Sequence, residues 1–252
     1  MEQKLTRKEK DIRIRRYSRY LHNYGRSSYP INEAVIHVDK YLNVLKDVIR
    51  ECKKDLLKED RLENKIKKLN LALKSFKIEF VLMNRRGNEV GIIQGNFKQE
   101  FIQIWVGQNL EFSLENEERF NIFLKFLFPL LGHELVHRGQ WYKSKNDFLN
   151  FYAFENEEEI KKMQLEDKWE IMAYALMAIE TFRYAGYTNN ALLKKFKLDL
   201  EKGEKFPYNI SNVMDLYLLN IKKLNFEVYK RFLKYIYDYL KNPIQNDLKV
   251  EI

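Results

Sequence analysis

Apolar residues recur at intervals of three and four positions in two stretches of the first third of the chain. One stretch covers residues 30–52 and the other residues 62–76, where lysines occupy the opposite face. This interval is the period of an amphipathic helix that packs one face on a core. The pattern predicts helices within residues 30–76, with Pro30 at their start.

The interval changes between residues 77 and 107. Residues 77–83, 89–94 and 100–106 are rich in β-branched and aromatic side chains, as strands are. Residues 86–88 and the pair Gly95 and Asn96 interrupt these segments as turn signals. A small sheet of three strands is therefore expected here, with its glycines in turns and bulges.

From residue 115 the helical period returns, and apolar side chains occupy nearly every side of the predicted helix as far as Leu131. Such a helix is expected to be buried at the centre of the fold. Pro129 lacks a backbone donor and crowds the preceding turn. We therefore expect a kink, or the start of a new helix, at this residue.

Helical patterns also fill the rest of the chain. One runs over residues 167–184 and reaches Gly186, which is a suitable C-terminal cap. Others follow within residues 190–243, and the last presents an apolar stripe from Phe226 to Leu240 that is expected to pack on the chain's own core. The predicted fold is α+β and predominantly helical, with a small three-stranded sheet and a C-terminal helical portion.

The composition agrees with this pattern. Only 9 Gly and 4 Pro among 252 residues favour long helices over turn-rich segments. The single cysteine, Cys52, cannot form an intrachain disulfide. No apolar segment has the length of a signal peptide or a membrane helix. We therefore expect a soluble cytoplasmic protein with no membrane partner, and association with a virus particle is the alternative.

Positive charge is concentrated at the N-terminus. The formal net charge is +9, and many lysines elsewhere are interleaved with Glu and Asp. Residues 1–25 form a basic arm that could lie on the phosphates of nucleic acid or on an acidic partner. A solvated terminus is the other interpretation, which the lack of a nucleic-acid-binding motif favours. The basic residues of the arm are Lys4, Arg7, Lys8, Lys10, Arg13, Arg15, Arg16 and Arg19.

The strongest chemical signal is the sequence His-Glu-Leu-Val-His at residues 133–137. On a helix, His133 and His137 project from the same face, so two imidazoles can bind one metal ion. Glu134 stands beside the first histidine, where its carboxylate can accept a proton from a metal-activated water. The chain has only 4 His, which argues against a chance match. A hydrogen-bonded histidine pair or a structural metal site is the alternative interpretation.

A catalytic zinc usually has three protein ligands, and no histidine follows His137. A third ligand is then a carboxylate. Glu170 stands out because it lies in an apolar helical turn, where an unpaired charge would be costly. It could instead be an ordinary partner of Lys168 or Arg138. The candidate carboxylates are Glu157, Glu158, Glu159, Glu166, Asp167, Glu170 and Glu180.

These features resemble the zincin metallopeptidases, in particular the gluzincins, in which His-Glu-x-x-His is followed on a later helix by a glutamate ligand. The order of three strands, an active-site helix and a helix with a glutamate is similar over residues 77–184. The third histidine of the metzincins is absent. Gln140 and residues 170–175 are similar to small zincin-like proteins, many of them encoded by phages or bacteria.

The resemblance implies a zinc-dependent metallopeptidase that hydrolyses a peptide or protein substrate. His133, His137 and Glu170 would bind Zn²⁺, and Glu134 would be the general base. Tyr174, one turn after Glu170, would orient a ligand or bond the oxyanion, although a core position fits it equally well. An extended substrate would pair with an edge of the sheet, expected near residues 102–106.

The implied plan is a single zincin-like domain over residues 26–252, preceded by the basic arm. It comprises helices at 30–76, a sheet at 77–107, active-site helices at 115–185 and C-terminal helices at 190–243. A second hypothesis is a non-catalytic protein that binds nucleic acid, or a virion-type interaction protein, through the basic arm. Its zinc site would then be structural or vestigial.

Overall fold

The computed structural model describes residues 31–98, 101–143, 168–194, 223 and 225–241. The basic arm and most of residues 195–224 lie outside these ranges, so the predictions for them stay predictions. The chain separates into two compact units, Met1–Phe154 and Glu155–Ile252. Each unit is described by itself below.

Two helices open the described part of the first unit. Helix α1 spans Ile31–Leu57 and helix α2 spans Leu62–Leu73, and a single 3-10 turn, Lys74–Phe76, extends α2. The turn ends at Lys77, which adopts a left-handed conformation with φ of 54° and donates its N–H to the carbonyl of Lys74. These bounds confirm the helices predicted within residues 30–76.

Three strands follow and form one mixed sheet. Strand β1 is Ile78–Leu82, β2 is Ile92–Lys98 and β3 is Phe101–Val106, in the order β1-β3-β2. Strand β3 pairs in parallel with β1 and antiparallel with β2. The small sheet is therefore confirmed, and β3 is its central strand. The expectation of a peptide-binding edge near residues 102–106 is wrong, because both sides of β3 are already paired.

The second strand lies further along the chain than the sequence pattern indicates. Residues 89–91 belong to a turn, in which the side-chain oxygen of Asn88 accepts hydrogen bonds from the N–H groups of Val90 and Ile92. Gly91, with φ of +79°, completes this turn. The strand then continues through Gly95, which pairs with Ile104. The predicted turn at Gly95 and Asn96 is therefore wrong.

The outer edge of β1 is closed by a side chain of helix α2. The amide of Asn70 donates to the carbonyl of Phe80 at 3.0 Å and accepts from its N–H at 2.6 Å. This amide replaces a neighbouring strand at the middle of β1. Within the described part of the chain, no strand pairs with the outer edge of β2.

A short helix, α3 (Leu110–Ser113), leads to the long helix α4 (Glu117–Lys143). Helix α4 runs unbroken through Pro129, so no new helix begins at that proline. It packs on α1 and β2. Its first half is less enclosed than its apolar pattern indicates, since Ile122 and Phe126 are 38% and 39% exposed. Its second half, which carries the histidines, is buried.

The described part of the second unit contains helix α5 (Lys168–Tyr184) and helix α6 (Phe226–Lys241). Gly186, with φ of +89°, follows α5 as the predicted cap, and residues 189–194 are helical. Helix α6 packs on α5 through the predicted stripe, most of which is buried. The phenol of Tyr239 donates to the carbonyl of Met172 at 3.5 Å.

The described residues thus form a predominantly helical α+β fold, as predicted. No helix among them is long and apolar enough to cross a membrane.

The closure of the β1 edge can be tested by replacing Asn70 with leucine. Loss of both hydrogen bonds leaves the N–H and carbonyl of Phe80 without this partner, and we expect the free energy of unfolding to fall by about 1–3 kcal/mol. Urea denaturation would measure the change. The variant Leu71→Ala is the control, because this neighbouring side chain is exposed; equal losses in both variants would contradict the role given to Asn70.

Candidate metal centre

The two histidines lie one turn apart on the buried half of helix α4. Their Nε2 atoms are 2.9 Å apart, and their rings meet at 81° with centroids 4.6 Å apart. Both side chains are buried, with 8% of His133 and 3% of His137 exposed. The i, i+4 spacing on a regular helix is the reason that both imidazoles reach the same point.

Gln140, one turn after His137, contacts the ring nitrogen of His137 that does not face His133. The Nδ1 atom of His137 lies 2.9 Å from the side-chain oxygen of Gln140. An amide oxygen can only accept, so a hydrogen bond donated to it by Nδ1 would leave Nε2 with its lone pair. A metal-binding histidine commonly donates its other N–H in this way.

The spacing of the two Nε2 atoms suits a shared metal ion. Two nitrogens bound at about 2.0–2.1 Å to one tetrahedral zinc ion lie about 3.3 Å apart. The observed 2.9 Å requires a small opening of the pair to reach that value. The same distance is also that of an ordinary hydrogen bond between imidazoles. The other groups near the pair must therefore decide between these interpretations.

Glu170 is the predicted third ligand. This glutamate lies in the first turn of helix α5 and is 6% exposed. Its side chain is buried, as are those of His133 and His137. Two neutral imidazoles and a carboxylate are a donor set that zinc accepts. The place of Glu170 as a third ligand beside His133 and His137 stays a prediction.

Another buried carboxylate of the same helix has a different environment. Glu180 is fully buried, and its Oε1 atom accepts from Nη1 of Arg183 at 2.6 Å. Its charge is balanced by this guanidinium, one turn further along the helix. The five other candidate ligands lie outside the described residues, namely Glu157, Glu158, Glu159, Glu166 and Asp167.

Arg138, one of the two alternative partners suggested for Glu170, is engaged elsewhere. Its Nη1 atom donates to the carbonyl of Phe76 at 2.5 Å, and its guanidinium lies 4.9 Å from the ring centroid of Tyr41. Among the described residues it has no carboxylate partner. The side chain of Lys168, the other suggested partner, lies outside the described part of the chain.

The predicted general base faces the sheet. Glu134 is 5% exposed, and its side chain lies directly against Gly95 of strand β2. An ideal Cβ built on Gly95 would lie 2.6 Å from Oε1 of Glu134. The sequence pattern gave this glycine no role beside the motif. A glycine in the interior of a strand, where it costs stability, was the available signal.

Tyr174 follows Glu170 by one turn of helix α5 and is half-buried. Its proposed contact with a ligand or an oxyanion stays a prediction.

Nucleophilic catalysis by cysteine does not fit the chain. Cys52, on helix α1, is the single cysteine of the sequence. Burial, together with the neighbouring carboxylates of Asp55 and Glu51, raises the pKa of its thiol. A thiol with a raised pKa stays protonated near neutral pH and is a poor nucleophile.

Comparisons with protein-family models, with curated proteins and with solved structures found no match to this chain. The interpretation of the centre therefore depends on its own residues and their geometry.

The orientation of His137 by Gln140 predicts an effect on metal affinity. The variant Gln140→Met keeps the length of the side chain and removes the acceptor, so we expect zinc binding to weaken about 10- to 100-fold. Competition with a chromogenic chelator would measure the affinity. Gln140→Glu, which retains an acceptor, is the matched control. Equal affinities of wild type and Gln140→Met would contradict the orienting role.

The contrast between the two buried carboxylates of α5 predicts which one binds metal. Glu170→Gln should reduce the zinc content measured by elemental analysis, because an amide is a much weaker zinc ligand than a carboxylate. Glu180→Gln should lower the melting temperature by breaking the pair with Arg183, but leave the zinc content of the folded protein unchanged. Full zinc content in Glu170→Gln would remove this residue from the ligand set.

Proposed function

We propose that the protein is a zinc-dependent metallopeptidase that hydrolyses peptide bonds. The observation that carries this proposal is the buried pair of His133 and His137, with Nε2 atoms 2.9 Å apart and a buried glutamate between them in sequence. A histidine pair built only for stability would not require Glu134 beside it. The burial of the Glu170 carboxylate in an apolar helical turn supports it as the third ligand.

A zinc ion held by His133, His137 and Glu170 would polarise the substrate carbonyl and make a water molecule acidic enough to react near neutral pH. The protein residues contribute the remaining chemistry. His137 would present Nε2 as a ligand while its Nδ1 donates to the side-chain oxygen of Gln140. Burial of the three side chains keeps bulk water away and strengthens electrostatic interactions within the site.

Glu134 would transfer a proton from the attacking water to the departing amine. As water attacks the scissile carbonyl, one oxygen of the Glu134 carboxylate accepts the water proton. The same group then donates that proton to the nitrogen of the departing amine as the C–N bond breaks. The products are a carboxylic acid and an amine, and Glu134 returns to its ionised form. The residue thus acts first as a base and then as an acid.

An extended substrate would bind along an unpaired edge of the sheet. The outer edge of β1 is occupied at Phe80 by the amide of Asn70, and β3 is paired on both sides. Among the strands that the structure describes, β2 has the remaining edge on which a peptide could add by backbone hydrogen bonds. A peptide on this strand would pass Gly95, against which Glu134 lies.

The second hypothesis from the sequence, a non-catalytic protein that binds nucleic acid or an acidic partner, rests on residues 1–25. These residues lie outside the described ranges, so that hypothesis stays a prediction. A structural metal site, which is its other component, is an outcome of the test that follows.

The proposed role of Glu134 is tested by the variant Glu134→Gln. An amide cannot accept the proton, so we expect kcat/KM for a peptide substrate to fall about 10²- to 10⁴-fold. The zinc content should remain that of the wild type, because this residue is not a ligand in the proposed site. Cleavage of a quenched fluorescent peptide library and elemental analysis would measure the two quantities.

Glu118→Gln is the matched control, since it makes the same change at an exposed position of helix α4. It should cleave as the wild type does. A wild-type protein that contains zinc but cleaves no peptide would favour the structural metal site, and a wild type that binds no zinc would overturn the proposal.

A further inference from the structure

Gly95 lies at a position where glycine lowers the stability of the fold. It lies inside strand β2, paired with Ile104 of the central strand. Its φ is not positive, unlike those of Gly91 and Gly186, so any residue could adopt its backbone conformation. A glycine in a strand loses more conformational entropy on folding than alanine and provides no side chain to pack. The backbone therefore gives no reason for glycine at this position.

The reason lies in the space above its Cα atom. An ideal Cβ on Gly95 would lie 2.6 Å from Oε1, 2.8 Å from Cγ and 2.9 Å from Cδ of Glu134. All three distances are shorter than the closest approach of a carbon atom to another carbon or to a carboxylate oxygen that is not bonded to it. The carboxylate of Glu134 therefore occupies the volume that a side chain at Gly95 would fill.

Three other glycines of the first unit differ in what surrounds them. A Cβ on Gly91 would meet the backbone of Leu110, and a Cβ on Gly107 would meet the backbone of Arg85 and Gly87. A Cβ on Gly87 would meet the backbone of Gly91. Those glycines permit close approach of backbone segments, which cannot move separately. At Gly95, by contrast, the nearest atoms belong to the end of a flexible side chain.

The spacing between β2 and α4 is fixed beside this contact. Phe97, two residues after Gly95 on the same face of β2, meets Trp141 of α4 edge to face with ring centroids 5.9 Å apart. Both aromatic side chains are buried. A methyl group at Gly95 would therefore be accommodated by rotation of the Glu134 side chain rather than by separation of the helix from the strand.

We propose that Gly95 is a positioning residue for the Glu134 carboxylate. The missing Cβ leaves the space in which that carboxylate lies, and strand β2 thereby determines where the proposed base stands on helix α4. Its significance for catalysis rests on the proposed peptidase function. The contact between the two residues can be tested independently of any activity.

The kinetic test is Gly95→Ala in the full-length protein with zinc bound. Displacement of a catalytic group by about 1 Å costs on the order of 100-fold in rate, so we expect kcat to fall about 100-fold. KM should change less than about threefold and zinc affinity should stay unchanged, because the ligands are not displaced. Gly91→Ala is the control for a structural glycine: it should lower the melting temperature and reduce zinc content and kcat together.

The test without activity is a thermal double-mutant cycle in Gly95 and Glu134. When Glu134 is replaced by alanine, the overlap disappears, and Gly95→Ala should raise the melting temperature because it restricts the unfolded chain. In the wild-type background the same substitution should fail to raise it. We expect the two shifts to differ by about 2 °C or more, which differential scanning calorimetry resolves.

The two tests distinguish the role of Gly95 from the proposed peptidase function. Equal shifts of the melting temperature in both backgrounds, or an unchanged kcat in Gly95→Ala of an active protein, would overturn the role of Gly95. Unequal shifts in a protein that cleaves no peptide would support the positioning of Glu134 by Gly95 and overturn the peptidase function. Unequal shifts with a selective loss of kcat would support both.

Discussion

The fold depends on burying a polar turn within an apolar helix. His133, Glu134, His137, Arg138 and Gln140 follow one another over two turns of α4, and all are buried. Each would lose several kcal/mol of hydration without a partner. Within the first unit, part of this cost is offset by defined contacts, namely Gln140 to His137 and Arg138 to the carbonyl of Phe76. The helix can enter the core only where these partners are in place.

Arg138 shows how one of these contacts also holds the scaffold together. Its side chain joins α4 to the end of the 3-10 turn through Phe76 and to α1 through the ring of Tyr41. Burial raises the pKa of the Tyr41 phenol, against the opposing effect of the nearby Arg138 charge. The phenol therefore stays neutral at ordinary pH, and the guanidinium lies on a neutral ring by a cation–π contact. This cluster anchors the residue that directly follows His137.

The sequence predicted the elements well where periodicity alone determines them. The long helices, three strands and the His-Glu-x-x-His turn follow from spacing within single segments. The errors concern side-chain contacts that the apolar pattern does not contain, some of them between segments that are distant in sequence. Residues 89–91 alternate like a strand, but hydrogen bonds to the side chain of Asn88 form a turn there. The sequence pattern places Gly95 in a turn because Glu134, which it contacts in the fold, is 39 positions away in the chain. The closed edge of β1 could not be predicted either, because Asn70 lies on a different element.

The two buried carboxylates of helix α5 clarify why a cation is part of the proposal. Glu180 has Arg183 three residues later, within reach on the same helix face, and the pair satisfies both charges. The corresponding positions after Glu170 are Ala173 and Tyr174, neither of which carries a positive charge. A metal ion in the proposed site would offset the desolvation of a carboxylate buried at this position. Gln140 agrees with that proposal, because a proton donated by Nδ1 of His137 to its oxygen would leave Nε2 available as a ligand.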